Sequence, residues 1–351
     1  MYWQKYPATD KALCVYPPAG HNMALFPFCK TATGPVTRWQ LVLYCLIFSL
    51  IIYFLNGREA AVGVESPHPI FRAWGLDRER AMRDMTAIKA TALETPWGAP
   101  LVWGDTQASA LRRARFAQRG IRIGLLALVV GTYARFVQRF ITSAETHFLP
   151  GQMVTYYILT DNPRTLDPPI EVGPDRWLKV VPVAELPGWE SLARRRMALL
   201  ADAIRNPIGS EVEYIFCADI DQEFVAPVGE EILGDLVATL HPELYGMPRK
   251  EFPYEIKEVS SAWVEEDEGD YYYTSEFYGG LVSEMYSLAR AGSLLILRDQ
   301  AKGVMARGLE ESYLNRYLID KRPTCVLSPE YSCWKRALAP DGHVQRLVSS
   351  G

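Results

Sequence analysis

Two aspartates one residue apart, Asp219 and Asp221, directly follow the apolar run Val212–Ala218. In extended backbone, residues i and i+2 point to one face, so both carboxylates can address a single cation. Hard oxygen donors suit Mg²⁺ or Mn²⁺, ions that bring substrate phosphates with them. Asp-x-Asp also occurs in solvated turns, and the pair alone leaves both readings open. A second constellation, residues 267–280, combines acids, Tyr271-Tyr272-Tyr273 and the small residues Gly279 and Gly280. Aromatic faces stack on sugar rings, and glycines let a backbone approach a ligand. Its other reading is an edge strand and turn whose tyrosines cover a core. Glu310 and Glu311 open an amphipathic stretch, 312–319, where a carboxylate either caps a helix or lies beneath a reacting anomeric carbon. Arg194, Arg195 and Arg196 either neutralise a diphosphate or form the exposed start of a helix.

The elements that must position these groups alternate in type. Ile121–Val130 reads as a buried strand, Val154–Thr160 as another, and Trp177–Val183 as a third. Apolar positions at helical spacing run from Leu192 to Ile204 and stop before Asn206-Pro207; Val212–Ala218 is then a strand. Strands separated by helices predict an α/β fold with a mainly parallel, covered sheet, whose ligands bind at the carboxyl ends of the strands.

The 351 residues are 49% hydrophobic and 22% charged, values of a folded chain rather than a disordered one. A net charge of −4 lacks the broad basic surface of a nucleic-acid binder. The mean hydropathy of −0.05 excludes a polytopic membrane protein but allows one span. That span is Trp39–Leu55, uncharged, mostly apolar and bracketed by Arg38 and Arg58. The preceding segment carries Lys5, Lys11, Lys30 and Arg38 against Asp10 alone, which puts the N-terminus on the cytoplasmic side. The expected organisation is a cytoplasmic tail (1–38), a signal-anchor (39–55), a stem (56–94) and a catalytic domain (95–351). The six cysteines are scattered, with no CxxC or His-rich cluster, so no structural zinc site is expected.

Five segments then occur together and in order: FCADIDQEF (216–224), LHPELYG (240–246), EGDYYY (268–273), ESYLNRY (311–317) and LSPEY (327–331). With TPWGAPLVW (95–103), they resemble the family 6 glycosyltransferases, which include the ABO histo-blood-group transferases, the α1,3-galactosyltransferases and the Forssman synthase. The resemblance implies a GT-A type, Rossmann-like nucleotide-sugar-binding fold in a single catalytic domain, and a hexosyltransferase anchored in the Golgi membrane with its catalytic domain luminal. It implies Mn²⁺, a UDP-galactose or UDP-N-acetylgalactosamine donor, and retaining α1,3 transfer to a terminal galactose-containing glycolipid or glycoprotein. Carried over by residue, Asp219 and Asp221 hold the metal and Arg196 adds positive charge. Leu128, Val129, Val130 and Tyr133 grip the nucleoside, with Thr274, Ser275, Glu276 and Glu310 also on the donor side. His241 and Glu311 face the acceptor, and Glu311 is the catalytic carboxylate. Trp189 falls in a stretch expected to form a mobile loop over the donor.

The chain also departs from that pattern. Thr274-Ser275-Glu276 replaces a triplet of small or apolar residues that selects the donor sugar. Gly308 stands where the family has a tryptophan beside the acceptor, and Glu310 replaces an aspartate. After Tyr331 the chain reads Ser-Cys-Trp instead of Leu-Trp-Asp, and no match to the family's basic tail precedes Gly351. The alternative to a transferase is therefore a weak or inactive paralogue that binds UDP and Mn²⁺, or a glycan.

Overall fold

A computed structural model of the protein describes residues 93–117, 120–184, 189–334 and 344–349. The expected tail, span and nearly all of the stem lie outside the described residues, which fall within one unit, Ala73–Gly351. No helix among the described residues is long and apolar enough to cross a membrane.

The short strand Leu101–Val102 (β1) precedes the helix Gln107–Phe116 (α1), whose N-cap Thr106 accepts the Ser109 N–H on its hydroxyl at 3.2 Å. The apolar run that follows forms Arg122–Val129 (β2) and leads through a 3₁₀ turn into Val137–His147 (α2). Met153–Thr160 (β3) and Arg176–Pro182 (β4) continue the sheet before the helix Trp189–Arg205 (α3). That helix begins at Trp189, where a loop was expected. Then come Tyr214–Ala218 (β5), Gln222–Phe224 (β6), Leu236–Leu240 (β7) and Tyr273–Leu281 (β8). Val282–Ala301 (α4), Leu309–Asp320 (α5), Cys325–Leu327 (β9), Cys333–Trp334 (β10) and Leu347–Ser349 (β11) complete the described chain.

The main sheet has the order β1-β9-β7-β8-β5-β2-β3-β4. All its pairings are parallel except those of β8, which runs against both β5 and β7. Such a mixed, parallel-rich sheet fits a GT-A-like fold. Alternate residues of each strand face different cores, the period-two signature of extended backbone. Leu125 and Tyr156 join Phe140 and Ala144 of α2 on one face. Leu126 and Tyr157 join Met197 of α3 and Met285 of α4 on the other. Both faces are thus covered, as parallel sheets require. The tyrosine-rich segment is correspondingly not an edge: β8 is paired on both sides.

A second sheet, β10-β11-β6, ties the end of the described chain to the strand after Asp221. In it Leu347 pairs with Phe224 and Ser349 with Gln222. Arg346, only 2% exposed, secures β11: it donates to the carbonyl of Pro227 and to Asp105 Oδ1 (2.7 Å).

Candidate active site

Strand direction decides which side chains meet. Since β2, β5, β7 and β9 run parallel, Val129, Ala218, Leu240 and Leu327 all lie at one end of the sheet, the carboxyl end of those strands. β8 is antiparallel, so Thr274, Ser275 and Glu276, just after its first residue Tyr273, arrive at that same end. The Asp219 N–H donates to the Glu276 carbonyl at 3.0 Å, which seats the acidic pair beside the triplet. The first turn of α5 brings Glu310 and Glu311 to Arg196 and Ser275 respectively. Four chain segments far apart in sequence are thereby joined by hydrogen bonds.

Arg196 sits at the back of the acidic pair. Its Nη2 donates to Asp219 Oδ1 at 2.5 Å and to the Ser275 carbonyl at 3.3 Å, while Nη1 donates to Glu310 Oε1 at 3.3 Å. Burial works against this charge, but Asp219 and Glu310 outweigh it and hold the guanidinium's proton more tightly than usual. The basic triplet therefore divides: Arg194 and Arg195 are exposed and Arg196 is buried. Helical spacing turns only one of three consecutive residues fully inward.

Burial pushes the Asp221 carboxyl up, and the neighbouring Asp219 charge pushes it further. Two hard oxygen donors held close enough to repel each other suit a divalent cation, which would relieve that repulsion. Among the described residues no group of three or more His, Cys, Asp or Glu side chains could hold a metal. The pair fits an ion completed by ligands from a substrate, with Asp219 Oδ1 already engaged by Arg196.

Glu311 is held by uncharged donors. Its Oε2 accepts the Ser275 N–H at 2.9 Å and the Ser275 hydroxyl at 3.1 Å. Burial raises its pKa and these bonds oppose the rise. Asn315 locks the backbone beneath it: Nδ2 donates to the carbonyls of Tyr273 (2.8 Å) and Glu311 (3.0 Å), and Oδ1 accepts the Tyr273 N–H (2.9 Å). The Tyr272 hydroxyl is buried and turned toward Glu311, whose charge adds to burial in raising the phenol's pKa. It makes no hydrogen bond of normal geometry.

Glu276 Oε2 accepts the Ser332 hydroxyl at 2.6 Å and Gln222 Nε2 at 3.2 Å. Burial pushes its pKa up to about 7, against the Ser332 bond, and the charges of Asp219, Glu311 and Asp221 add to the rise. Gly308 is the N-cap of α5, and its N–H donates to Ser312 Oγ at 3.0 Å. A Cβ at Gly308 would lie 2.8 Å from that oxygen and 3.4 Å from the Tyr272 hydroxyl. Ser312 and Tyr272 thus crowd the space next to the glycine.

Leu128 and Val129 end β2, Val130 caps the following 3₁₀ turn, and the positive φ of Gly131 (56°) turns the chain so that Tyr133 follows on that turn. Tyr133 is 37% exposed, with its ring 5.9 Å from that of Phe136. His241 follows β7; its ring lies 5.8 Å from Tyr272, edge to face, and its N–H donates to the Tyr272 carbonyl at 3.0 Å. The acid-rich start of the 267–280 segment goes elsewhere: Glu268 pairs with Arg316 at 2.5 Å and Asp270 with Arg322 at 3.3 Å. Sequence reading missed three side chains of the site: Gln222, Ser332 and Tyr272 in its contact with Glu311. For Ser332 the signal was present, since it opens the Ser-Cys-Trp departure.

The profile of glycosyltransferase family 6 matches residues 82–349. The chain is 43% identical over 318 residues to the mouse (Mus musculus) globoside alpha-1,3-N-acetylgalactosaminyltransferase 1, covering 87% of this chain and 88% of that one. It is 38% identical to the rat (Rattus norvegicus) histo-blood group ABO system transferase 2, covering 87% of each. To the human (Homo sapiens) alpha-1,3-galactosyltransferase 2 it is 34% identical, over 72% of this chain and 74% of the relative.

Proposed function

The chain belongs to glycosyltransferase family 6, and from that premise we propose that it transfers galactose or N-acetylgalactosamine from a UDP-sugar to a terminal galactose-containing glycan. The linkage formed is α1,3, the configuration is retained, and the enzyme works in the Golgi lumen behind a single N-terminal anchor. The observation that carries the reading is the convergence of Asp219 and Glu311 at one end of the sheet, joined through Arg196 and Ser275, with Asp221 two residues beyond Asp219.

In this reading Asp219 and Asp221 hold Mn²⁺ on the donor diphosphate. The ion, when bound, supplies Lewis-acid stabilisation of the departing UDP. Arg196 orients Asp219 from behind and adds positive charge to the same end of the site. Tyr133 stacks on the uracil, and the backbone of Leu128, Val129 and Val130 grips the base and ribose. Glu311 presents a carboxylate beneath the anomeric carbon, as nucleophile or as stabiliser of an oxocarbenium-like centre; either route retains configuration. His241 binds the acceptor. Glu276, in the donor-side triplet, sets which sugar is accepted.

The test is UDP release by the purified full chain with Mn²⁺, crossing UDP-galactose and UDP-N-acetylgalactosamine with lactose and fucosylated lactose. Acceptor-dependent release with one donor is expected. Absence of release with every pair, despite a Mn²⁺-UDP shift in melting temperature, would overturn the proposal in favour of an inactive paralogue.

A further inference from the structure

Ser275 is where the two halves of the site meet. Its carbonyl accepts Arg196 Nη2, the nitrogen that also holds Asp219. Its N–H and hydroxyl both donate to one oxygen of Glu311, Oε2. Any residue at this position of β8 could supply the N–H; only serine or threonine adds the second donor without lengthening the side chain. The residue is 9% exposed, so the hydroxyl has little water to exchange for Glu311.

We propose that Ser275 is a positioning residue for glycosyl transfer: its hydroxyl fixes the plane of the Glu311 carboxylate and leaves Oε1 to face the anomeric carbon. The proposal rests on the transferase reading of Glu311. Two donors on one oxygen remove the freedom of the carboxylate to rotate, and they spend the hydrogen bonding on the oxygen that does not react. The link back to Arg196 and Asp219 makes the same residue set the distance between the diphosphate anchor and the carboxylate. The other groups bearing on Glu311 are less well placed to orient it. Glu310 and Glu276 are themselves carboxyls, and the Tyr272 hydroxyl, though turned toward Glu311, lies outside normal hydrogen-bond geometry. The frame does not depend on the hydroxyl, because Asn315 ties α5 to β8 through Tyr273. Removing the Ser275 hydroxyl therefore tests orientation rather than folding.

The experiment compares the full chain with Ser275→Ala and Ser275→Thr in two readouts. The first is Mn²⁺-dependent UDP release, with the Mn²⁺-UDP melting shift measured alongside. The second is carbodiimide coupling to Glu311, read by peptide mass spectrometry without substrate. Ser275→Ala is expected to lower kcat about tenfold with the donor KM and the melting shift nearly unchanged, since one charge-assisted hydrogen bond is lost. Coupling to Glu311 is expected to rise, and Ser275→Thr is expected to restore both readouts. Unchanged kcat in Ser275→Ala would overturn the proposal, as would parallel loss of kcat and the melting shift, or failure of threonine to rescue. If the wild type releases no UDP with any pair, the transferase reading has failed, and equal coupling in wild type and Ser275→Ala would overturn the positioning role separately.

Discussion

On either side of Ser275 the site holds its carboxylates by different means. Asp219 and Glu310 share one buried guanidinium, so their charge is compensated inside the protein. Among the described residues, Glu276 and Glu311 make no ion pair with such a cation; Ser332, Gln222 and Ser275 hold them with hydroxyls and amides. A charge paired in the resting protein keeps a ligand-binding element in place, whereas one held by neutral donors remains available to a ligand. Each half mixes residues expected to match the family pattern with expected departures: Asp219 and Arg196 beside Glu310 in one, Glu311 beside the Thr274-Ser275-Glu276 triplet and Ser332 in the other.

The sharpest way to break that contrast is Asp221→Asn. It removes one of the two carboxylates proposed to hold the cation and is expected to lower turnover at least about a hundredfold. The Mn²⁺-UDP melting shift should be lost with it; unchanged turnover at saturating Mn²⁺ would remove the metal argument. Glu311→Gln is expected to cost nearly as much in kcat, about a hundredfold, because it deletes charge where charge develops. Here the melting shift should survive, since neither carboxylate proposed to hold the cation is touched. Equal loss of both quantities would assign Glu311 to structure and erase the difference between the halves.

Glu276→Gly sharpens the comparison from the other side. The glutamate fills the triplet position nearest Ser332 and Gln222, and a glycine there would open space and release both partners. Use of UDP-galactose or UDP-N-acetylgalactosamine is expected to rise by about tenfold in kcat/KM, the scale on which one side chain discriminates between substrates. The variant should also melt lower, because glycine weakens a strand and two hydrogen bonds are lost. A fall in activity with both donors would instead show that Glu276 itself recognises the sugar.

Much of this geometry was legible where a single period governs a segment. Runs such as Ile121–Val130 and Val154–Thr160 are largely apolar on both faces, which predicts covered parallel strands, and the structure moves their limits by only a residue or so. Asp219 and Asp221 were legible because their strand ends where its apolar run ends. The centre of the sheet was not: β8 mixes tyrosines, glycines and polar residues, and period two does not say whether one edge or both are paired. Nor could spacing separate Glu268 and Asp270, engaged by Arg316 and Arg322, from Ser275 and Glu276 a few residues on. Partner choice for Ser332, Gln222 and Arg346 depends on which distant segments arrive nearby, a property of the whole topology rather than of any window of sequence.

The smallest expected effect concerns Gly308, the position expected to depart most in size from the family pattern. If the site had simply lost a tryptophan at 308, the space would be open and a methyl group would enter freely. Instead, a Cβ there would lie 2.8 Å from Ser312 Oγ, inside contact distance, so the neighbourhood is already filled. The backbone is not the obstacle, because Gly308 has a φ of −94° that any residue adopts. Gly308→Ala should therefore lower the melting temperature by about 2–4 °C, the equivalent of roughly 1 kcal/mol of overpacking. Ser312→Ala removes the oxygen that the methyl meets, and with it the hydrogen bond from the Gly308 N–H. On its own it should also destabilise. The double variant should be more stable than the sum of the two changes, because the clash and the hydrogen bond share one atom. Strict additivity would mean that Ser312 does not close the space at Gly308.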